Sequence, residues 1–419
     1  MVMRVLSTAI LIAAVLAVSG CVKATIAWAD LSSDGVAASP LILDRSGSGI
    51  TASDWRETRA PEIRAAFEEH IYGEFPGSWK TNVLDFRIID ENAIDGAGIL
   101  SEYKLKADLQ FGEGQNSTQT FYMNVLTPKS DPRAPVILME TFCPRWDTIP
   151  HPGVFRPEGA DTCDRWGSGV IRYVFGRYIS TPPLGEILER GYALATIFPS
   201  EYVPDRADAG LAALEELSAG RDATTPRWGA IAAWGLGFSM MTDALETKGF
   251  DTFIAYGHSR YGKAALVAGA FDERIDGVIA HQSGTGGASL NRDKKGESIT
   301  AIVESYPHWF TPAYLSAGEG DYDLAIDQHH LLALMAPRPI LLGNARRDVW
   351  SDPNGAFRAA MGADSVYELF GRDGLKQERL DQWVPGADIA FWIRPGTHGV
   401  VKEDWPAFLE FLDAHFTAE

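Results

Sequence analysis

Two periodicities divide the chain. Across residues 83–127 apolar and polar side chains alternate, in ILSEYKLKADLQF and again in TFYMNVL. Antiparallel strands with one buried face read this way. Beyond about residue 185 the pattern changes to short apolar runs separated by segments of helical spacing. YALATIFP, DTFIAY, GVIAHQ, RPILLGNA and ADIAFWI read as strands. WGAIAAWGLGFSMMTDALET, KAALVAGAF, HHLLALMA and DWPAFLEFLDAHF read as helices. APVILMETF, at 134–142, is a continuous apolar run suited to a strand covered on both faces. Strands alternating with helices imply right-handed crossovers and a mostly parallel sheet. The predicted class is α/β, a three-layer αβα sandwich whose central sheet carries antiparallel strands at its N-terminal edge. Ahead of the strands, WRETRAPEIRAAFEEHIY (55–72) has helical spacing and is stopped at 73–76 by Gly73 and Pro76.

Between about 143 and 185 neither period holds. Pro144, Pro150, Pro152, Pro157, Pro182 and Pro183 punctuate this stretch, with Trp146, Phe155, Trp166 and Tyr178 among them. It reads as a loop insertion. Long ordered loops commonly form lids or walls of functional sites; the alternative is passive packing over a sheet edge. Cys143 and Cys163 both fall in it and form a candidate disulfide, the alternative being two buried thiols.

The N-terminus bears on where such a disulfide would form. Arg4 precedes an apolar run at 5–18 that is too short to span a bilayer comfortably. Val18-Ser19-Gly20-Cys21 follows and resembles a bacterial lipobox, which predicts lipidation of Cys21. Cleavage after Ala27-Trp28-Ala29 is the alternative. Either predicts export, as a periplasmic or outer-membrane-anchored lipoprotein or as a secreted protein. The expected plan is a signal peptide at 1–21, a linker at 22–53 and a catalytic domain at 54–419. Membrane contact is expected only through the N-terminal lipid.

Composition narrows the partners. A 419-residue chain with 46% hydrophobic residues buries an ample core. Its formal net charge of -19 repels phosphate backbones and argues against nucleic acid. A monomer is the expected state.

The candidate chemistry centres on Gly257-His258-Ser259-Arg260-Tyr261-Gly262-Lys263. An apolar strand precedes it and a small-residue helix follows, the setting of the nucleophile elbow in the α/β-hydrolase fold. The second glycine arrives one residue later than in G-x-S-x-G. A serine hydroxyl barely ionises at neutral pH and needs a base. His398, in Pro395-Gly396-Thr397-His398-Gly399, directly follows a strand and is the expected base. His329 and His330 lie in an apparent helix and read as structural, while His258, His281 and His308 read as pocket walls. Asp348, just after RPILLGNA, is the expected acid that orients the base. The alternatives are that Asp348 pairs with Arg346 or Arg347, or that Asp352 or Asp388 serves. No metal-ligand spacing appears, and no metal or cofactor is expected.

These residues together resemble the glucuronoyl esterases, carbohydrate esterase family 15. The likeness includes the Ser259-Arg260-x-Gly262-Lys263 elbow, IYGEFP after the opening helix, SGTGG, HHLLALMAPRPILL, Asp348-Val349-Trp350-Ser351-Asp352-Pro353 and Gly396-Thr397-His398. The resemblance implies a serine esterase that cleaves 4-O-methyl-glucuronate esters between hemicellulose and lignin alcohols through an acyl-enzyme. It further implies that the Arg260 amide and guanidinium stabilise the oxyanion, that Lys263 hydrogen-bonds sugar hydroxyls, and that Trp350 walls the sugar pocket. Surface pairing of Arg260 and core packing of Trp350 are the alternatives. Fungal members carry Cys before the serine and Glu before SGxGG; here these positions are His258, as in bacterial members, and Gln282. Gln282 cannot be a charged acid, which leaves that role to Asp348. Two other functions fit less closely: a broader carboxylesterase or acetyl esterase acting on polysaccharides, and a carbohydrate-binding protein on a degenerate scaffold. The intact Ser259, Asp348 and His398 set argues against the last.

Overall fold

The computed structural model describes residues 49–112, 115–160, 162–163, 174–222, 227–318, 322 and 324–417. The expected signal peptide, Cys21 and all but the end of the expected linker lie outside the described residues, as does Trp166.

The chain enters through a helical run at 52–72. Its middle is α1 (Ala60–Phe67), flanked by wider turns at Trp55–Arg59 and Glu68–Tyr72. Trp55, Ile63, Phe67, Ile71 and Tyr72 are buried. The run stops at Gly73, whose φ is +86° and where a Cβ would lie 2.4 Å from Arg227 O. Three long strands follow, β1 (Ser78–Ala93), β2 (Gly98–Gly112) and β3 (Gln115–Pro128), paired antiparallel in sequence.

The rest of the sheet is β4 (Val136–Glu140), β5 (Ala193–Ile197), β6 (Phe253–His258), β7 (Gly277–His281), β8 (Ile340–Ala345) and β9 (Ile389–Arg394). The nine strands run in the order β1-β2-β3-β5-β4-β6-β7-β8-β9. β3 meets β5 antiparallel, and every pairing beyond it is parallel.

The helices that matter for the site are α2 (Leu184–Glu189), α3 (Ala207–Leu217), α4 (Ala230–Glu246), α5 (Arg260–Phe271), α6 (Gln328–Ala333), α7 (Pro353–Leu369) and α8 (Asp404–Phe416). They cover both faces of the sheet, so the parallel strands are apolar throughout. Val136, Leu138, Ala255, Val278, Ala280 and Leu342 face one core, which α1 and α3 to α7 close. Ile137, Met139, Ile254, Tyr256, Ile279 and Leu341 alternate with them and face a second core, closed by α2 and α8. Each fully buried Leu or Ile here contributes ~1.5–3 kcal/mol. The result is the expected three-layer sandwich.

Three of these helices, α2, α3 and α7, go beyond the periodic reading. α3 is rich in Ala and buries only Gly210, Leu214 and Leu217, which blurs its apolar stripe. α7 opens on Pro353-Asn354-Gly355, a turn-like string, and is started by the Asp352 carboxylate accepting from Gly355 N at 3.0 Å. The insertion is partly helical, with turns at Arg145–Thr148 and Arg177–Ile179 leading into α2.

Candidate active site

β6 ends at His258 and α5 begins at Arg260, so Ser259 alone makes the turn between them. Its φ is 56° and ψ -121°, a conformation that costs a non-glycine residue ~1–3 kcal/mol. The surroundings hold it there. Ser259 N–H donates to His281 O at 2.8 Å, and Ser259 O accepts from Gly262 and Lys263 at 3.0 and 3.1 Å. A Cβ at Gly257 would lie 1.9 Å from Tyr261 O. One at Gly262 would meet Gly257 O at 3.0 Å and His281 O at 3.2 Å. The late glycine therefore has a local cause: the third residue of α5, not the second, presses on the β6–β7 backbone. Tyr261 takes the usual glycine position and is buried, with ring centroids 4.8 Å from Phe142 and 5.4 Å from Trp234. Arg260 N–H lies in the first turn of α5, where backbone donors lack intrahelical acceptors.

The loops after β8 and β9 run side by side. Arg346 N donates to Arg394 O and Arg347 N to Gly396 O, both at 2.8 Å. Arg346 and Arg347 are exposed, whereas Asp348 is buried and turned inward. Its Oδ2 lies 2.7 Å from His398 Nδ1. Burial alone would raise the Asp348 carboxyl. The hydrogen bond and charge of His398, with bonds from Ser351, outweigh burial and hold it below the ordinary carboxylate value. The other candidate acids serve elsewhere: Asp352 caps α7, and Asp388 accepts from Asp373 N at 2.9 Å. With Nδ1 committed to Asp348, Nε2 is the nitrogen His398 has free.

Two side chains fix the histidine loop. Arg394 is buried; its guanidinium donates to Pro395 O, Thr397 O and Gly399 O at 3.1, 3.3 and 2.7 Å and pairs with Asp404 at 2.7 Å. Gln282 spans the loop with both ends of its amide. Nε2 donates to Thr397 O at 3.3 Å, and Oε1 accepts from Gly399 N at 2.9 Å.

Ser259, His258, Arg260 and His398 line one side of a cavity of ≈ 320 Å³. The insertion supplies Cys143, Pro144, Cys163, Phe175 and Ile179, and Phe142 lies at its threshold. Cys143 and Cys163 form a disulfide with Cα atoms 5.3 Å apart. The Arg260 guanidinium pairs with Asp205 and lies 5.3 Å from the Phe142 ring centroid and 5.2 Å from that of Trp309. Asp205 also accepts from Trp309 Nε1 at 2.8 Å and bonds His308 Nε2 at 3.0 Å. Burial raises the Asp205 carboxyl, but His308, Arg260 and Trp309 together leave it below its ordinary value.

A family model described as fungal glucuronyl esterase matches residues 223–371. A carbohydrate esterase, MZ0003, from an unknown prokaryotic organism is 32% identical over 400 residues, covering 90% of this chain and 89% of its own. The chain belongs to carbohydrate esterase family 15. Among solved structures, a promiscuous family 15 esterase from a marine bacterial metagenome superimposes with a TM-score of 0.73 at 29% identity, over 92% of this chain and 100% of that one. A glucuronoyl esterase from Solibacter usitatus gives 0.74 at 28% identity, over 92% and 100%. The sheet with its flanking helices is accordingly the α/β-hydrolase fold, and the protein is a carboxylic ester hydrolase.

The remaining residues expected of this family 15 esterase sit around the elbow rather than on the cavity surface. Lys263 is buried, with Nζ donating to Ser283 O. Burial lowers its ammonium to about 7, against the attraction of Glu297. Trp350 is 59% exposed, so core packing is not its role. Its carbonyl accepts from Glu297 N at 3.1 Å. Glu297 itself is buried and raised by that burial, with Lys263 and Lys294 opposing. Lys263, Glu297 and the Trp350 loop thus form one cluster. Sequence reading missed Glu297, Asp205 and the loop-fixing role of Gln282. The signal available was the isolated charge in KKGES and PDRAD, which reads equally well as solvated surface. Among the described residues no group of three His, Cys, Asp or Glu side chains is placed to hold a metal ion.

Proposed function

We propose that this chain hydrolyses glucuronoyl esters in two steps through an acyl-enzyme on Ser259. The observation that carries this reading is one cavity shared by a serine on a strained strand-to-helix turn and a histidine whose Nδ1 is bound to a buried carboxylate. Ser259 Oγ attacks the ester carbonyl as His398 Nε2 takes its proton. Asp348 keeps that proton-accepting tautomer and stabilises the imidazolium. The oxyanion forms at the start of α5, where the Arg260 N–H and the guanidinium held by Asp205 supply positive charge. A preorganised donor of this kind is worth ~3–4 kcal/mol. His398 then protonates the departing alcohol, and water releases the acid by the reverse sequence.

The uronoyl specificity is supported by the fungal glucuronyl esterase family model and by the likeness to the Solibacter usitatus enzyme. Trp350, exposed beside the elbow, is the residue we assign to the sugar side, with Lys263 and Glu297 buried next to its loop. The Cys143–Cys163 disulfide supports export to an oxidising compartment, with Cys21 as the lipidated residue. A broader esterase is the second reading. The apolar insertion wall and the likeness to an esterase described as promiscuous favour it.

Steady-state hydrolysis of benzyl glucuronate beside an acetylated sugar, with Ser259→Ala as control, separates the two. A serine-dependent preference for the glucuronate ester is expected. Preference for the acetyl ester would move the protein to the broader reading.

A further inference from the structure

Behind the catalytic histidine lies a second, buried imidazole pair that the two-step scheme does not use. His281 is fully buried, and His258 is 3% exposed, at the cavity wall. Their Nδ1 atoms are 3.2 Å apart, so one donates and the other accepts. Asp404 decides which. Its carboxylate is paired with Arg394 and accepts from Val401 N at 2.8 Å, and its Oδ1 lies 3.5 Å from His281 Nε2. That separation is long for a hydrogen bond, but the electrostatics are one-sided. A lone pair on Nε2 would face a carboxylate, whereas an N–H there is attracted to it. His281 therefore carries its proton on Nε2 and accepts at Nδ1. His258 must donate from Nδ1, which leaves its Nε2 as a bare acceptor. Burial keeps both rings neutral, and the neighbouring His398 and Arg394 reinforce this.

His258 and His398 thus arrive at the same end state by different routes. Each has Nδ1 committed behind it, to His281 in one case and Asp348 in the other. Each retains an Nε2 lone pair, both rings border the cavity with Ser259, and their centroids are 4.7 Å apart. We propose that His258 is the second acceptor for the deacylating water: His398 takes one of its protons and His258 holds the other. This rests on the acyl-enzyme reading above. As the water oxygen bonds to the acyl carbon, one proton passes to His398 Nε2. The bond from that carbon to Ser259 Oγ breaks, and His398 returns the proton to Oγ. The second water proton leaves on the product carboxyl group and is lost to solvent when that group ionises. In acylation the nucleophile is Ser259 Oγ rather than water, and His258 has no such part.

Partition of the acyl-enzyme tests this without depending on overall rate. The full-length enzyme is given benzyl glucuronate in the presence of methanol, and the ratio of methyl glucuronate to free glucuronate is measured. Methanol has one hydroxyl proton, which goes to His398, and gains nothing from a second acceptor. In His258→Phe the methanol share should rise about three- to tenfold, as expected for loss of one hydrogen bond to water. Both products come from one intermediate, so at initial rates, before methyl glucuronate is itself cleaved, slower acylation or a smaller folded fraction leaves the ratio untouched. If His258→Phe does not fold, His258→Met, whose flexible side chain fills the same space without an imidazole, serves instead. An unchanged ratio with a lower total rate would overturn the proposal and make His258 a packing residue. If wild type forms no methyl ester, or Ser259→Ala stays active, the acyl-enzyme reading itself fails.

Discussion

The two walls of the cavity are built by different means. The wall that carries Ser259, Asp348 and His398 is an extension of the sheet. Each residue follows the C-terminal end of a parallel strand, β6, β8 and β9 respectively, so strand register sets their spacing. Backbone bonds between the last two loops then lock them together. The facing wall starts just beyond β4, at Phe142, Cys143 and Pro144, but continues as the loop insertion, which is pinned at separate points. Arg145, fully buried, bonds Glu201 at 2.8 Å, Asn124 at 2.8 Å and Glu102 at 3.4 Å. The disulfide closes the loop, and Phe175 O accepts from Val400 N at 2.7 Å. The contrast separates two tasks. Atoms that react are placed by the most rigid part of the fold. Atoms that only enclose a substrate are held by a few ties.

That contrast makes ordered predictions. Changes to the sheet wall should act mainly on kcat, and changes to the insertion wall mainly on KM. Ser259→Ala is expected to lower kcat by roughly 10⁴–10⁶-fold with circular dichroism and Tm essentially retained. Asp348→Asn should cost roughly 10³–10⁴-fold in kcat, since the amide no longer fixes the tautomer of His398; near-normal turnover would remove Asp348 from the triad. The Cys143→Ser, Cys163→Ser pair opens a loop with a sequence separation of 20, worth about 3 kcal/mol in the chain-entropy account. Its Tm should fall and its KM rise several-fold. A loss confined to kcat would show that the insertion wall orders the reacting groups after all.

The last effect falls on stability rather than on rate, as a pH dependence on the sheet side. Folded Lys263 titrates at about 7, well below the 10.5 of a solvated lysine. Between these values the unfolded chain holds a proton that the folded protein has shed, so stability rises with pH across the window. Below it Lys263 is charged in both states, and the cost of burying that charge is fully present. The Tm difference between wild type and Lys263→Met should therefore move in favour of wild type from pH 6.5 to 10. A difference that stays flat would mean that Lys263 is solvated and reaches the cavity.

The same division explains what the sequence disclosed. Strand ends are legible because a buried parallel strand is a continuous apolar run, and the residue beyond it is displayed by the fold. Ser259, Asp348 and His398 were found in this way and stand where their strands end. The residues that support them were not legible. Asp205 reaches Arg260 across 55 positions of chain, and Gln282 reaches Gly399 across 117. Nothing periodic links such pairs. Even the late glycine, visible in the string, gains its reason only from the approach of Gly262 to the carbonyls of Gly257 and His281.

Gln282 carries a consequence for where the acid of such an active site can sit. Its amide gives a proton to Thr397 O and takes one from Gly399 N. A glutamate at this position could keep only the second bond, because a carboxylate is acceptor-only and would repel the Thr397 carbonyl. Bracing the histidine loop and charging the histidine are therefore incompatible duties for one side chain. With an amide at 282, the charged partner of His398 has to come from elsewhere, and here the loop after β8 supplies it as Asp348.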